Sequence, residues 1–163
     1  MGVETAAASH SRLTFLSEAG HVVGMPITSD DDIRALFDAE TVAVVGCSAT
    51  PGKPAHDVPS YIQRQGYRVV PINPFHDEIL GETAYDSLAD VDEDVDIVDV
   101  FRPSEEAGDI VDAAIDRAAD RGDVKAVWLQ LGIRDDDAAA RAEEAGLSFV
   151  QDRCFKVEHS RLA

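Results

Sequence analysis

The stretch that decides the fold is residues 41–58, which read Thr-Val-Ala-Val-Val-Gly-Cys-Ser-Ala-Thr-Pro-Gly-Lys-Pro-Ala-His-Asp-Val. Its first five residues form an apolar run rich in β-branched side chains, which is typical of a parallel strand covered on both faces. Gly46 ends that run, and Pro54 suits a first helical turn because its missing N–H needs no partner there. This order favours anion binding, since unpaired amides and the positive helix end face the space above the loop.

The rest of the chain repeats the alternation of strand and helix. Apolar runs predict further strands at residues 67–72, 95–101, 124–131 and 147–151, and helical periodicity predicts helices near residues 29–38, 56–65, 104–119, 135–145 and 154–161. Pro59 fits its helix only in the first turn. Between the predicted strands at residues 67–72 and 95–101, the sequence of residues 75–90 predicts a turn around Gly81, a short strand and a short helix. The pattern predicts an α/β fold: a doubly wound, Rossmann-like parallel sheet of about five strands with helices on both faces.

Length and composition favour one domain. The chain has 163 residues, of which 45% are hydrophobic, enough for an ordinary core. Residues 1–24 lack sustained periodicity, so we expect a disordered extension there and the domain in residues 25–163. Because Met25 lies three residues before Thr28, which with Ser29 is a candidate cap of the first helix, our hypothesis is that translation starts at Met25 rather than Met1 and that the preceding segment is dispensable.

The charge balance restricts the partners and the setting. Asp and Glu total 32 against 14 Lys and Arg, which gives a net charge of −18 spread over the whole chain. Such a surface is typical of proteins of salt-rich cytoplasm, where the Debye length is about 3 Å at 1 M, although an ordinary acidic protein is the alternative. It argues against nucleic acid as a partner. The sequence has neither an apolar stretch of roughly 20 residues nor a secretory signal, so we expect a cytoplasmic protein without membrane contact.

The two cysteines, Cys47 and Cys154, are too few for a disulfide scaffold and lack metal-ligand spacing, so we expect free thiols and no metal. Cys47 lies at a predicted helix start, which lowers a thiol pKa, but the sequence indicates no orienting partner for His56, the nearby candidate base, so we do not expect a nucleophile. Trp128, in a predicted strand, is expected in the core. For Asp152, Arg153, Cys154 and His159, beyond the last strand, we expect an internal salt bridge beside a buried thiol.

The motifs at the strand ends distinguish between phosphate ligands. The dinucleotide fingerprint GxGxxG is absent, because Cys47 and Ser48 follow Gly46 and the next glycine is Gly52. The second strand ends at Asn73, where NAD-binding folds usually carry an acid for the ribose hydroxyls. An uncharged end tolerates a phosphorylated ribose better, since two anions within about 4–6 Å repel strongly. The residues therefore favour coenzyme A or NADP.

At this point the sequence resembles the small stand-alone CoA-binding protein family, whose fold is similar to the nucleotide-binding domain of the succinyl-CoA synthetase alpha subunit. The resemblance runs from about residue 30 to the end. Its blocks are Val45-Gly-Cys-Ser-Ala-Thr-Pro-Gly-Lys-Pro54, Tyr67-Arg-Val-Val-Pro-Ile-Asn-Pro74, Val95-Asp-Ile-Val-Asp-Val-Phe-Arg102, Ala126-Val-Trp-Leu-Gln-Leu-Gly132 and Asp152-Arg-Cys-Phe-Lys-Val-Glu-His159.

The resemblance implies a set of cofactor-binding residues. The loop around the diphosphate would comprise Gly46, Cys47, Ser48 and Ala49, followed by Pro51 and Lys53, with Lys53 facing the diphosphate or the 3′-phosphate. Beside the adenosine ribose would lie Asn73 and Pro74. Along the adenine and the pantetheine arm would lie Val100, Phe101 and Arg102, and adenine stacking on Arg102 is a hypothesis.

The chain departs from the family pattern at three places. Ala55 replaces a serine that could donate to phosphate, and Pro59 replaces a residue compatible with mid-helix, which could shift the helix start. Phe75 and His76 follow Asn73-Pro74 where relatives often show a basic residue. The partner of the 3′-phosphate therefore stays open among Lys53, Arg68 and His76.

The resemblance implies a binding module for coenzyme A, or a short acyl-CoA, held through its ADP and diphosphate portion. We expect no catalysis, because the synthetases need a phosphorylated histidine from a separate domain and a partner subunit. The alternative from another class is an NADP-linked oxidoreductase domain. A third possibility is a mixed disulfide between Cys47 and the CoA thiol. Whether the chain forms a homodimer or binds an unknown protein partner stays open.

Overall fold

The computed structural model describes residues 25–163. The predictions for residues 1–24 and for the translation start therefore lie outside the described residues. The strands are β1 (Thr41–Val45), β2 (Arg68–Ile72), β3 (Glu78–Ile79), β4 (Glu82–Thr83), β5 (Ile97–Val100), β6 (Ala126–Leu129) and β7 (Ser148–Val150). The helices are α1 (Asp30–Leu36), α2 (Pro54–Arg64), α3 (Ser104–Arg121), α4 (Asp136–Glu144) and α5 (Phe155–Leu162), with a 3₁₀ turn at Leu88–Asp90.

The main sheet confirms the predicted fold class. Its five strands are all parallel and lie in the order β2-β1-β5-β6-β7. The chain adds β2 on one side of β1 and then crosses to add β5, β6 and β7 on the other side. The strand order therefore reverses at β1, and the crevice outside the carboxyl ends of β1 and β5 is where such sheets bind ligands.

Helices cover both faces of the sheet because successive residues of each strand point to opposite sides. Ala43, for example, lies in an apolar cluster with residues of α3 and α4, such as Val111 and Ala142. Its neighbours Val42 and Val44 belong to a second cluster with residues of α1, α2 and α5. All three of these β1 side chains are fully buried, which accounts for the near-continuous apolar run in the sequence.

Both borders of the sheet carry a further backbone contact. Tyr85 forms a parallel bridge with Ile72 of β2. The Asn73 amide donates to the Tyr85 carbonyl at 2.9 Å, and the Tyr85 amide donates to the Pro71 carbonyl at 3.0 Å. On the opposite border, the amide of Ile27 donates to the carbonyl of Phe149 in β7 at 2.7 Å. The predicted short strand in residues 75–90 takes the form of the β3–β4 hairpin, whose turn contains Gly81 at φ 76°.

Pro59 corrects the predicted start of α2. We expected this proline in the first turn of a helix beginning near His56, but α2 begins at Pro54 and Pro59 lies buried inside it. Proline has no N–H, so the carbonyl of Ala55, four residues earlier, loses its helical donor. That carbonyl accepts the amide of Ser48 at 2.9 Å instead. The interior proline therefore frees an acceptor that fastens the loop after β1 to α2.

Arg117 of α3 holds the irregular segment that leads into β5. Its guanidinium, almost fully buried, donates to the Asp123 carboxylate at 3.0 Å and to the carbonyls of Leu88, Val91 and Glu93 at 2.7–3.0 Å. Asp123 also accepts the amide of Val95 at 2.9 Å. One buried ion pair thus satisfies several backbone groups that no strand or helix would pair.

Replacing Arg117 by leucine is expected to lower the free energy of unfolding by about 3–5 kcal/mol, because the buried Asp123 carboxylate loses its cationic partner and three backbone carbonyls lose their donor. The matched control is Arg141→Leu, since Arg141 pairs with Asp112 at 2.9 Å at the surface. That control should cost less than about 1 kcal/mol. Urea unfolding of both variants measures the difference, and equal losses would contradict the assigned role.

Candidate functional site

The candidate site surrounds the β1–α2 loop, residues 46–53, at the carboxyl edge of the sheet. Most of the loop amides bond within the protein: Gly46 to the Ile72 carbonyl (2.9 Å), Ser48 to the Ala55 carbonyl (2.9 Å), Thr50 to Ser48 Oγ (3.0 Å), Gly52 to Asp57 Oδ1 (3.1 Å) and Lys53 to the Thr50 carbonyl (3.4 Å). Within residues 25–163, the amides of the buried Cys47 and of Ala49 and Ala55 have no hydrogen-bond acceptor. Few amides of the loop are therefore left to bind a ligand.

The start of α2 combines an exposed cation with an anchoring carboxylate. Lys53 occupies the N-cap position, makes no side-chain cap and is exposed, and Pro54 follows at the first helical position. Asp57 accepts a hydrogen bond from His56 Nδ1 at 3.0 Å, which together with the Gly52 amide lowers the pKa of its carboxyl group. This first turn thus closes the loop with Asp57 and leaves Lys53 turned toward solvent.

Arg102, directly after β5, covers Gly46. A Cβ atom added at Gly46 would lie 2.9 Å from Cδ of Arg102 and 3.3 Å from its Cγ, and Gly46 itself has φ 88°. The Arg102 guanidinium makes a two-pronged pair with Glu106 in the first turn of α3, with both N–O distances 3.0 Å. Val100 is buried and Phe101 partly buried, so the two residues before Arg102 belong mainly to the core and its rim.

Asn73 ties the end of β2 to the β1–α2 loop. Its side-chain amide donates to the Cys47 carbonyl at 2.9 Å, and its side-chain oxygen accepts the Phe75 amide at 2.8 Å. Its backbone amide donates to the Tyr85 carbonyl at 2.9 Å. The structure therefore brings together Gly46, Cys47, Asn73 and Arg102, with Pro74 exposed beside them.

Of the three basic residues considered for the 3′-phosphate, one lies at the opposite edge of the sheet from the other two. Arg68 begins β2 and therefore lies at the amino edge, where it pairs with Glu93 at 2.7 Å and with Glu82. This position argues against Arg68 as a ligand of a phosphate at the carboxyl edge. Lys53 and His76 are both exposed and follow the carboxyl ends of β1 and β2, so these two remain candidates.

A buried polar cluster lies beneath the loop. Asp99 of β5 is fully buried, and Gln130 Nε2 donates to its Oδ1 at 2.7 Å. Its Oδ2 has no hydrogen-bond partner in the part of the chain that the structure describes. Burial raises the pKa of Asp99 to about 7. The sequence signal for this cluster was a lone carboxylate at an inward position of an otherwise apolar strand, which the sequence analysis did not use.

Cys47 is fully buried above this cluster. Burial, with a contribution from the Asp99 charge, raises the pKa of its thiol to about 12. The thiol is therefore protonated at neutral pH, which argues against Cys47 as a nucleophile or as the partner in a mixed disulfide. The expected lowering of its pKa by the helix start is outweighed because desolvation of the thiolate dominates.

A cavity of about 940 Å³ opens at the carboxyl ends of β6 and β7. Its lining includes the exposed apolar side chains Leu131 and Val157 and the half-buried Cys154. We expected an internal salt bridge there, and Arg153 makes a mostly buried pair with Glu158 at 3.4 Å. Asp152 pairs with Arg134 at 3.5 Å, but at the surface. The thiol is less buried than expected.

The remaining predictions near this edge concern aromatic residues. Trp128 is fully buried, as predicted, and its indole N–H donates to the Arg153 carbonyl at 2.8 Å. His159 packs among the rings of Phe37, Tyr61 and Tyr67 rather than at a ligand site. No helix among the described residues is long and apolar enough to cross a membrane.

Substituting alanine at Gly46 is expected to lower the free energy of unfolding by about 2 kcal/mol. About 1–2 kcal/mol arises from the left-handed backbone, and the rest from displacing Arg102 from Glu106. Gly66→Ala is the matched control, since Gly66 has φ 103° and an added Cβ would meet nothing within 4 Å. Urea unfolding checks the comparison. If Gly46→Ala still costs more than Gly66→Ala after Arg102→Ala is introduced, the Arg102 contact is not the cause.

Asp99→Asn is expected to change the pH dependence of stability. The folded-state pKa near 7 lies above the usual value of about 3.9, so the folded protein holds this proton more tightly. The contribution of the protonated Asp99 to the free energy of unfolding is therefore complete below about pH 4 and is lost as the pH rises to about 7. The stability of Asp99→Asn relative to the wild type should therefore increase between about pH 4 and 7 and then level off. Unfolding titrations at several pH values test this, and a constant difference would be the contrary result.

Comparison with known proteins shows the family of the chain. A family described as a CoA binding domain matches residues 40–160. The uncharacterized protein YneT of Bacillus subtilis (strain 168) is 34% identical over 122 residues, which cover 75% of this chain and 87% of that protein. The ADP-forming acetate–CoA ligase II of Archaeoglobus fulgidus is 31% identical over 107 residues, which cover 64% of this chain and 15% of the ligase.

Solved structures agree with this relationship. A Thermus thermophilus protein is 43% identical with a TM-score of 0.76, and the match covers 83% of this chain and 100% of that one. A hypothetical protein from Pyrococcus horikoshii OT3 is 36% identical with a TM-score of 0.77, and the match covers 84% and 95% of the two chains. The chain therefore belongs to the CoA-binding domain family.

Proposed function

We propose that the protein binds coenzyme A, or a short acyl-CoA, through its ADP and diphosphate portion, as a binding module without catalysis of its own. The observation that carries the proposal is the start of α2, where the acceptor-free amides of Ala49 and Ala55 lie beside the exposed Lys53 at the point of strand reversal. Such a combination of amides, helix end and cation suits a diphosphate.

The residues present fit the diphosphate better than they fit the rest of the ligand. Ser48 Oγ accepts the Thr50 amide, so the hydroxyl hydrogen remains to donate to a phosphate oxygen. Lys53 would neutralise part of the phosphate charge. Pro51 would limit the loop to one shape. Toward the ribose, Asn73 has already committed its side chain to Cys47 and Phe75, which leaves the edge of β2 uncharged and compatible with a 3′-phosphate.

The contacts near β5 set a condition on binding. Arg102 covers Gly46 and is held by Glu106, so it contributes to binding either through its exposed edge or after leaving this pair. Stacking of the adenine on Arg102 stays a proposal under this condition, and so does contact of Val100 and Phe101 with the ligand. Exposed ion pairs of this kind stabilise by less than about 1 kcal/mol, so Arg102 can leave Glu106 and pair with a phosphate of the ligand at little cost.

Two further observations support coenzyme A over NADP and over chemistry on the protein. Similarity to an ADP-forming acetate–CoA ligase supports a CoA ligand, since that enzyme by its name acts with CoA. The oxidoreductase alternative has no support from the family match. For the absence of catalysis, the support is that the Cys47 thiol and the Asp99 carboxyl group beside the loop are fully buried. His56 has an orienting partner in Asp57, but the Cys47 thiol is too deeply buried to serve as its nucleophile.

Isothermal titration calorimetry with coenzyme A, 3′-dephospho-CoA and NADP tests the proposal. The wild type should bind coenzyme A most tightly, and loss of the 3′-phosphate should weaken binding. Tight binding of NADP without binding of coenzyme A would overturn the proposal in favour of the oxidoreductase alternative. The salt concentration must be held constant, because the phosphate contacts are screened.

Lys53→Ala is expected to weaken coenzyme A binding roughly three- to tenfold, which corresponds to about 0.7–1.4 kcal/mol. Lys125→Ala is the matched control, because Lys125 is exposed but precedes β6 and so lies at the amino edge of the sheet. It removes the same charge without touching the site. The same calorimetric titration compares the two variants, and equal weakening would assign the effect to net charge rather than to a contact.

A further inference from the structure

Phe75 is the feature that the proposed function leaves unexplained. Its side chain is 87% exposed, more than any other exposed large hydrophobic residue among those the structure describes. The other three, Met25, Leu131 and Val157, all line the cavity beyond β6 and β7. Phe75 instead follows β2, the strand at the opposite border of the sheet. A single exposed apolar residue is common on protein surfaces, so its placement has to carry the argument.

The placement of Phe75 is fixed by the same residue that contacts the β1–α2 loop. Asn73 accepts the Phe75 amide through Oδ1 at 2.8 Å and donates through Nδ2 to the Cys47 carbonyl at 2.9 Å. Pro74 between them has a fixed φ, and the His76 amide donates back to the Asn73 carbonyl at 3.4 Å. The backbone of Phe75 is therefore held at a set position relative to the loop proposed to bind the diphosphate.

The chemistry of the ligand indicates what lies above this position. In folds of this type, the ribose of a nucleotide lies at the carboxyl end of the strand next to the phosphate loop, which here is the end of β2 at Asn73. The ribose separates the base from the diphosphate, so the base extends further along the same edge. Phe75 offers an aromatic face there, while the alternative platform, Arg102, follows β5, which lies on the opposite side of β1 from β2.

We infer that the ring of Phe75 is the platform on which the adenine of the bound coenzyme A stacks. This inference rests on the proposed function and adds the residue that recognises the base. Stacking needs no charge, which suits a chain of net charge −18 with Asp77 and Glu78 close by in the sequence. The stacking contribution should also persist at high salt, where the contribution of Lys53 is screened.

The test compares Phe75→Ala, Phe75→Leu and Phe75→Trp with the wild type by calorimetry. Loss of the ring in the Ala and Leu variants should weaken coenzyme A binding by roughly 5- to 100-fold, while the Trp variant should retain it. The loss should be similar at low and high salt. Binding of 4′-phosphopantetheine, which has no adenine, should be unchanged in every variant. Thermal unfolding checks that each variant is folded, which the exposure of Phe75 favours.

Fluorescence of Phe75→Trp gives a second readout that a structural role would not move. The only natural tryptophan, Trp128, is fully buried and supplies a constant background that the wild type measures. Coenzyme A should quench the emission of the new tryptophan, and 4′-phosphopantetheine should not.

The outcomes separate the two proposals. Wild-type protein that fails to bind coenzyme A would overturn the proposed function and this inference with it. Normal binding by the wild type together with unchanged affinity in Phe75→Ala and an unquenched Phe75→Trp would overturn the stacking alone. The alternative partner of Phe75 is a second copy of the chain, which size-exclusion chromatography tests. If the wild type is a dimer that Phe75→Ala dissociates, and if coenzyme A affinity does not depend on the ring, Phe75 belongs to an interface between copies and the stacking is rejected.

Discussion

The parallel pairing of β1 with both β2 and β5 is the constraint on which the rest of the structure depends. It places the loops after three strands at one edge of the sheet, although Gly46 and Arg102 are separated by about a third of the chain. Residues as distant as Gly46, Asn73 and Arg102 meet for this reason. Because the strand order reverses at β1, this edge is where sheets of this topology bind ligands in a crevice. Everything proposed about binding uses this crevice.

The β1–α2 loop is held mainly by the protein's own hydrogen bonds. The Ala55 carbonyl, freed by Pro59, accepts the Ser48 amide, and Asp57 accepts the Gly52 amide. A loop fixed in this way loses little conformational entropy when a ligand binds. The cost is that only a few amides remain for the ligand, so cations and uncharged contacts around the loop gain in importance. In so acidic a chain, the aromatic contact proposed for Phe75 would complement the few available positive charges.

The sequence was sufficient for the architecture because local patterns and topology agree. β-Branched runs, helical periodicity and caps such as Ser29, whose Oγ accepts the Asp32 amide at 3.1 Å, all predict the observed elements. It also indicated the strand-to-helix loop as the candidate site. Two further features were readable but not used. Arg68 begins its strand, which in a parallel sheet places it at the amino edge, and Arg102 and Glu106 have the spacing of a helical ion pair.

Other features depend on the three-dimensional structure. The sequence does not reveal that the Ala55 carbonyl has a second donor waiting in Ser48, so Pro59 was expected only in a first turn. Nor does it show how completely Cys47 and Asp99 are buried. This burial raises the pKa of the Cys47 thiol, whereas the helix start alone would lower it. The double role of Asn73 likewise requires the loops after β1 and β2 to be adjacent. Each of these depends on contacts between segments distant in sequence.

The bonds along the two outer strands also bear on how copies of the chain would meet. Unpaired backbone groups on an outer strand are templates for adding a strand from a neighbouring molecule. Here Tyr85 lies along β2, and Ile27 bonds to β7, which is only three residues long. Continuation of the sheet from one molecule into the next is therefore disfavoured, and the chain is protected against fibrous association by its own flanking segments rather than by its acidity alone.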